Sequence, residues 1–205
     1  LFELQQETMD THEYLFSWLD SQKSGYYMGR GVMQRANHCK DESLNYKKKK
    51  EIQVPFNLPN FAINKLSVKS FNTVYYLLRK QKNNYKEYFL DFFYPLDGFT
   101  HWNRVYGRKG FVEYQVVVPS DVAYETILEL LGKITKSKLG ATVAVVKPLI
   151  KSRGLISFPM DGFTLAVDFA NSENLWHLLD ELDKIVIASG GRVYLAKDAR
   201  LSAKS

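Results

Sequence analysis

In the second half of the chain the apolar positions change period several times, and each change marks an element. Val112 to Val118 is an apolar run of strand length. Ile127, Leu130, Leu131 and Ile134 then recur at i, i+3, i+4 and i+7, which predicts a helix over Asp121 to Ser137 with one buried stripe. Strands are expected over Thr142 to Lys147 and Thr164 to Phe169. Leu175, Leu178, Leu179, Leu182, Ile185 and Val186 mark a second amphipathic helix over Glu173 to Ser189, and Arg192 to Leu195 reads as the last strand. Ser120 or Asp121 is placed to cap the first helix, which Gly140 ends. Asn171 or Ser172 caps the second, and Gly190-Gly191 allows the left-handed turn that closes a helix. Strand, helix, strand, strand, helix, strand is the order of a ferredoxin-like split βαβ unit, with both helices covering one face of an antiparallel sheet. The expected fold class is α+β.

The first half is less regular. Tyr14 to Asp20 and Tyr26 to Gln34 read as extended segments around Ser24-Gly25, Lys65 to Arg79 as a helix and Glu87 to Tyr94 as a strand. The change of character falls near Asp97 to Gly110, dividing an irregular subregion, 1–110, from the patterned one, 111–195.

Composition sets wide bounds. With 205 residues, 45% hydrophobic and 14% aromatic, the chain can bury a sizeable core as one large domain or two small ones. The single cysteine, Cys39, excludes an internal disulfide and is compatible with a reducing compartment, so a cytoplasmic location is expected. The sequence opens at Leu1 without a charged leader, and no segment approaches the roughly 18 uninterrupted apolar residues of a membrane span. It reads as a soluble protein. Part of the formal charge of +6 sits in Lys47 to Lys50, which has the composition of a solvated loop. Surfaces that track nucleic acid spread basic residues along a face, so no nucleic-acid partner is expected. A basic cleft for a phosphorylated substrate is an open alternative.

Several chemistries lack their residues. There is no Gly-x-Gly-x-x-Gly or P-loop stretch to hold a phosphate, so the chain is not expected to bind a dinucleotide by itself. His12, His38, His101 and His177 follow no metal-ligand spacing, and no metal is expected. No serine lies in a nucleophile elbow and no Cys-His constellation for covalent catalysis is visible, since the neighbours His38 and Cys39 would face opposite sides of an extended strand.

One stretch exceeds what folding asks for. Asp91-Phe92-Phe93-Tyr94-Pro95-Leu96-Asp97-Gly98 precedes Trp102-Asn103-Arg104, Tyr106-Gly107 and Gly110-Phe111-Val112-Glu113-Tyr114-Gln115. Further words are Ser17-Trp18-Leu19-Asp20, Gly29-Arg30-Gly31-Val32 with Arg35, Ser157-Phe158-Pro159, Val167-Asp168-Phe169, Leu179-Asp180-Glu181-Leu182-Asp183 and Gly190-Gly191-Arg192-Val193-Tyr194 leading to Ala196-Lys197-Asp198. In this order they resemble the FAD-dependent oxidases acting on decaprenylphosphoryl-ribose, a branch of the vanillyl-alcohol oxidase superfamily.

The resemblance implies that residues 1–195 are the substrate (cap) domain of a longer enzyme and that 196–205 begin the segment returning to an FAD-binding domain. It implies FAD as cofactor, held mainly by that other domain, and a sugar or polyol as substrate, with phosphorylated and lipid-linked sugars among the choices. Lys197 matches the lysine that reaches flavin and substrate, where a fixed cation stabilises the negative charge of the ring accepting hydride. Gln115 matches an active-site glutamine that also meets the cofactor. Glu113, two residues away on the same side of one strand, departs from the more usual glutamine. Lys147 matches a pocket lysine, and Phe93 and Trp18 match aromatics facing the substrate. Thr164 stands where asparagine is frequent, and Ala166 where the lipid-linked sugar oxidases have cysteine. A related aldonolactone or alditol oxidase is one alternative, and a non-catalytic module binding an anionic partner is another.

Overall fold

The computed structural model describes residues 1–40, 50–79, 84–155, 157–197 and 200. The first half runs α1 (Phe2–Thr8), β1 (Tyr14–Leu19), β2 (Gly31–Ala36), β3 (Ile52–Gln53), α2 (Lys65–Arg79), α3 (Phe89–Phe93) and β4 (Phe99–Thr100). The second runs β5 (Phe111–Pro119), α4 (Ala123–Lys136), β6 (Ala141–Leu149), β7 (Gly162–Ala170), α5 (Glu173–Ala188) and β8 (Arg192–Val193). Six strands form one sheet in the order β2-β1-β6-β7-β5-β8, each neighbour antiparallel to the next. Within it, β6-β7-β5-β8 with α4 and α5 as crossovers is the order of a split βαβ unit. β1 and β2 extend that unit at the β6 edge, so both halves share one sheet. The α+β class expected from the sequence is the one found.

Alternation along the strands divides the sheet into two faces. Tyr114, Val116 and Val118 from β5, Phe163, Leu165, Val167 and Phe169 from β7, and Ala144 and Val146 from β6 point at α4 and α5. They enclose Ile127, Leu130, Leu131 and Ile134 of α4 and Leu175, Leu178, Leu179, Leu182 and Val186 of α5, all buried. Both stripes read from the periodicity are therefore the core. α1 joins the same face: the Phe2 ring packs 5.0 Å from that of Phe163, and Gln5 Nε2 donates to Ser17 Oγ at 2.7 Å. Nothing in the seven residues of α1 shows a repeat long enough to predict it.

α2 comes from the irregular half and meets the opposite face. Its Tyr75 lies 4.7 Å from Trp18, and Asn72 Nδ2 donates to Asp20 Oδ1 at 3.0 Å. Asp20 is buried and paired with Arg30, whose guanidinium also stacks 4.3 Å above Tyr76. Gly31 completes the join, because a Cβ there would lie 2.3 Å from the Trp18 carbonyl oxygen. The words Ser17-Trp18-Leu19-Asp20 and Gly29-Arg30-Gly31-Val32 thus describe how α2 is locked to β1 and β2.

Several local expectations are corrected. Glu87 to Tyr94 is no strand: Phe89, Leu90, Phe92 and Phe93 recur at i, i+1, i+3 and i+4, a helical spacing, and α3 stops before Pro95. Tyr26 begins no strand, since Gly25–Tyr27 is a 3-10 turn and pairing starts only at Gly31. After α4 the left-handed residue is Lys138, at φ 61°, and Gly140 instead gives room to Ile63, whose Cγ2 would be 3.2 Å from a Cβ. Neither Asp121 nor Ser172 makes a side-chain cap bond; α4 starts after Val122. Lys47 to Lys49 lie outside the described residues.

Candidate active site

β8 is only two residues long, and the turn beyond it determines the site. Tyr194 N–H still donates to the Gln115 carbonyl at 2.8 Å, keeping the chain against β5. A 3-10 turn over Leu195–Lys197 then carries Lys197 across the sheet face away from α4 and α5, where its Nζ meets Glu113 Oε2 at 2.6 Å. The Lys197 side chain is 40% exposed, so an ion pair of this kind adds only about 0–1 kcal/mol to folding. Its value lies in placing a charge. The hydrogen bond to Glu113 raises the Lys197 pKa, so the amine is held protonated.

The rest of the cluster results from register. Glu113 pairs with Asp168, Gln115 with Ala166 and Val117 with Thr164, which puts the three β7 residues on the same face as Glu113 and Gln115. Gln115 Nε2 donates to Thr164 Oγ1 at 3.1 Å, and Thr164 Oγ1 donates to the Val116 carbonyl at 2.8 Å. That fixes the amide while leaving its carbonyl oxygen and second N–H for a ligand. Lys147 lies directly opposite Thr164 on β6 and is exposed. Lys197, Glu113, Gln115, Thr164, Ala166 and Lys147 are therefore one neighbourhood, across β5, β7 and β6.

Asp168 belongs to it and is absent from the sequence candidates, although two-residue alternation from Thr164 and Ala166 places it on this face. Burial pushes its carboxyl up to about 7, with Glu113 adding to the rise and Lys197 opposing it. The cluster thus holds two carboxylates and one ammonium, with the second carboxylate taking up a proton near neutral pH. Because the folded carboxyl holds its proton more tightly than an unfolded aspartate, the ionised form costs stability, and that cost grows as pH rises from about 4 to about 7. Asp168→Asn is expected to raise stability at pH 8 by a few kcal/mol, at about 1.4 kcal/mol per pKa unit, and to change it little near pH 4. Urea unfolding at both pH values checks this; an equal effect at both would remove the raised carboxyl.

Two sequence candidates lie elsewhere. Trp18 starts the cross-strand row that runs through Val145 and Ala166 to Gln115, three strand spacings of about 4.8 Å away. It is buried beneath α2. Phe93 sits on α3 in an aromatic cluster with Tyr14 at 4.8 Å and Phe89 at 4.6 Å, beside β1 and β2. Trp18 is a packing residue in this arrangement, whereas Phe93 is 38% exposed and lines a cleft with Phe89, Phe92 and Arg79; neither touches the Lys197 group.

The chain beyond Lys197 is tied to α5. Arg200 reaches Asp180 at 2.6 Å and Asp183 at 2.8 Å, and the Tyr114 hydroxyl donates to Asp183 at 2.8 Å. Burial, reinforced by Asp183, pushes the Tyr114 phenol up, so it remains a neutral donor. The word Leu179-Asp180-Glu181-Leu182-Asp183 thereby has a physical reading: its leucines fill the core and two of its acids hold Arg200. Among the described residues no group of three or more His, Cys, Asp or Glu could hold a metal ion.

In an alignment of 204 positions that covers 95% of its length, the chain is 30% identical to decaprenylphosphoryl-beta-D-ribose oxidase of Mycolicibacterium smegmatis, and it spans 44% of that relative. The resemblance to the decaprenylphosphoryl-ribose oxidases is borne out. A 53-residue stretch, 25% of the chain, is 47% identical to 14% of an uncharacterized protein in the mprA 5' region of Streptomyces coelicolor. No protein-family model matches the chain.

Proposed function

We propose that this chain is the substrate-binding part of an FAD-dependent oxidoreductase that oxidises a secondary alcohol of a sugar or polyol. The observation that carries the reading is the delivery of Lys197 onto the sheet face that bears Gln115, Ala166 and Glu113. Similarity to an oxidase over 95% of the chain supports the reaction class. The donor set fits a flavin: a cation and a fixed amide flank the small Ala166 side chain, which leaves room for a flat ring with carbonyl acceptors. When bound, FAD would supply the hydride acceptor, and the 205 residues supply one wall.

Each residue then has a role. Lys197 holds positive charge where negative charge develops. Gln115, braced by Thr164, and Lys147 beside it orient substrate hydroxyls. Glu113 and Asp168 offer acceptors for a hydroxyl proton, and Asp168, with its carboxyl near 7, is tuned to take one at neutral pH. Glu113 in place of glutamine makes this wall more acidic, which favours substrates rich in hydroxyl donors.

The test is product analysis of the full-length protein with phosphorylated sugars, alditols and aldonolactones. Loss of two hydrogens from one secondary carbinol is expected, and no oxidised product from any class would defeat the reading. A companion result is expected for the 205-residue chain alone. It should not retain FAD in equilibrium dialysis, because one wall encloses too little of a ligand's surface; tight stoichiometric binding would contradict this.

A further inference from the structure

Lys197 is carried by a short stretch with little of its own to hold it. β8 supplies two pairs with β5, Val193 with Val116 and Arg192 with Val117. Leu195 is 60% exposed and Ala196 is exposed, so neither packs the turn against the sheet. Upstream the chain is fixed at Tyr194, whose N–H donates to the Gln115 carbonyl and whose ring stacks 4.4 Å from that of Phe158. The ion pair of Lys197 with Glu113 does not secure the other end. A lysine amine on a flexible stem gains little from one partner beside water.

The downstream end is fixed from behind the sheet. Glu113 and Tyr114 are neighbours on β5 and face opposite sides. Glu113 meets Lys197 on the site face, whereas Tyr114 points at α5 and donates its hydroxyl to Asp183. Asp183 also accepts from Arg200 at 2.8 Å, and Asp180 accepts from the same guanidinium at 2.6 Å. The two carboxylates lie three residues apart, on one face of α5. Unlike the Lys197 pair, this one is sheltered: the Arg200 side chain is 18% exposed and that of Asp183 13%. A planar fork gripped at two points by charge-assisted bonds has little freedom to swing. Consecutive residues of β5 thus hold two cations of one segment on opposite faces of the sheet, Lys197 directly and Arg200 through Asp183.

We infer that Arg200 is a positioning residue for Lys197: locked to Asp180 and Asp183 of α5, it fixes the turn that sets the Lys197 amine on the face bearing Glu113, Gln115 and Ala166. The inference rests on the reading of Lys197 as the charge beside a flavin. Arg200 pairs on the helix side of β5, so its effect on the reaction passes through the turn. Stabilisation of developing charge depends steeply on where the cation sits, and an amine displaced by about an ångström loses much of its advantage. Substrate binding in the ground state depends on other contacts and loses little.

The experiment uses the full-length protein and two readouts. In Arg200→Gln the amides of Tyr194 and Lys197, which bond to the Gln115 and Tyr194 carbonyls, are expected to exchange hydrogen roughly tenfold faster or more, with α4 protected as in the wild type. In anaerobic stopped flow the limiting rate of flavin reduction is expected to fall roughly tenfold, with the half-saturating substrate concentration within about twofold. Combined with Lys197→Met, Arg200→Gln should slow reduction no further, because the group it positions is gone. A merely structural loss would slow both backgrounds alike. Should Arg200→Gln melt early, Asp183→Asn replaces it and must give the same effects, since it keeps an acceptor for Tyr114 but removes the charge that Arg200 grips. Unchanged exchange at Tyr194 and Lys197 overturns the proposal whatever the enzyme oxidises. So does reduction at the wild-type rate, or an equal slowing in the Lys197→Met background. A wild-type flavin that no sugar or polyol reduces defeats the reading of Lys197 instead, and the exchange result then still decides whether Arg200 holds the turn.

Discussion

Lys197→Met in the full-length protein is expected to slow flavin reduction by on the order of 10²-fold or more while FAD stays bound, the scale of losing one preorganised charge-stabilising group. The structure gives this residue little else to do. Its ion pair with Glu113 is too exposed to hold the fold together, and Lys197 lies on a short turn past the last strand, where its removal opens no cavity. A stability loss would therefore be small and a rate loss large. Stopped-flow reduction at the wild-type rate would return Lys197 to the surface charges. Glu113→Gln in parallel is informative, since it leaves the Lys197 amine unneutralised; a change in substrate preference with a retained flavin is expected.

The second large effect is on folding. Leu130→Ala and Leu179→Ala are each expected to cost roughly 2 to 5 kcal/mol, because each side chain is almost wholly enclosed between α4, α5 and the sheet. Lys50→Ala, on an exposed residue beyond any packed element, should change stability by less than about 0.5 kcal/mol. Urea unfolding of the three variants checks the architecture. Leucine changes no costlier than the lysine change would remove the two-helix core.

The second half is legible in the sequence because its signals are local and repeated. Each of α4 and α5 shows a complete apolar stripe, and each strand has a length and alternation that only one face can satisfy, so the helices and the strand order emerge together. The first half is harder for three reasons. α1 is too short to show a period. α3 is one turn and a half of aromatics that read equally as a strand until Pro95 is given weight. The addition of β1 and β2 to the β6 edge depends on pairing of Ser17 with Val146 and Trp18 with Val145 and on Ser21 Oγ donating to the Ala141 carbonyl at 2.6 Å, residues far apart in the chain.

The candidate site divides in the same way. Gln115, Glu113, Thr164 and Ala166 group by alternation along two strands, and the register brings those strands together. Asp168 lies on the same alternation, but in the sequence it stands inside a family word and not as a position on a face. Its raised pKa arises from burial and from Glu113 across the strand pair, which no single stretch of sequence displays. Phe93 stands on a helix and not on the expected strand, away from the Lys197 group, and Trp18 loses its open surface to α2, whose docking side the sequence does not reveal.

The most direct measurement is the absorption spectrum of the purified full-length protein, recorded without oxygen before and after addition of the sugar or polyol that gives oxidised product. A flavin spectrum that bleaches on addition of that substrate is expected, with bleaching slowed in Lys197→Met. A colourless protein, or a flavin band that no sugar or polyol bleaches, would contradict the assignment of Lys197 and its neighbours to a flavin site.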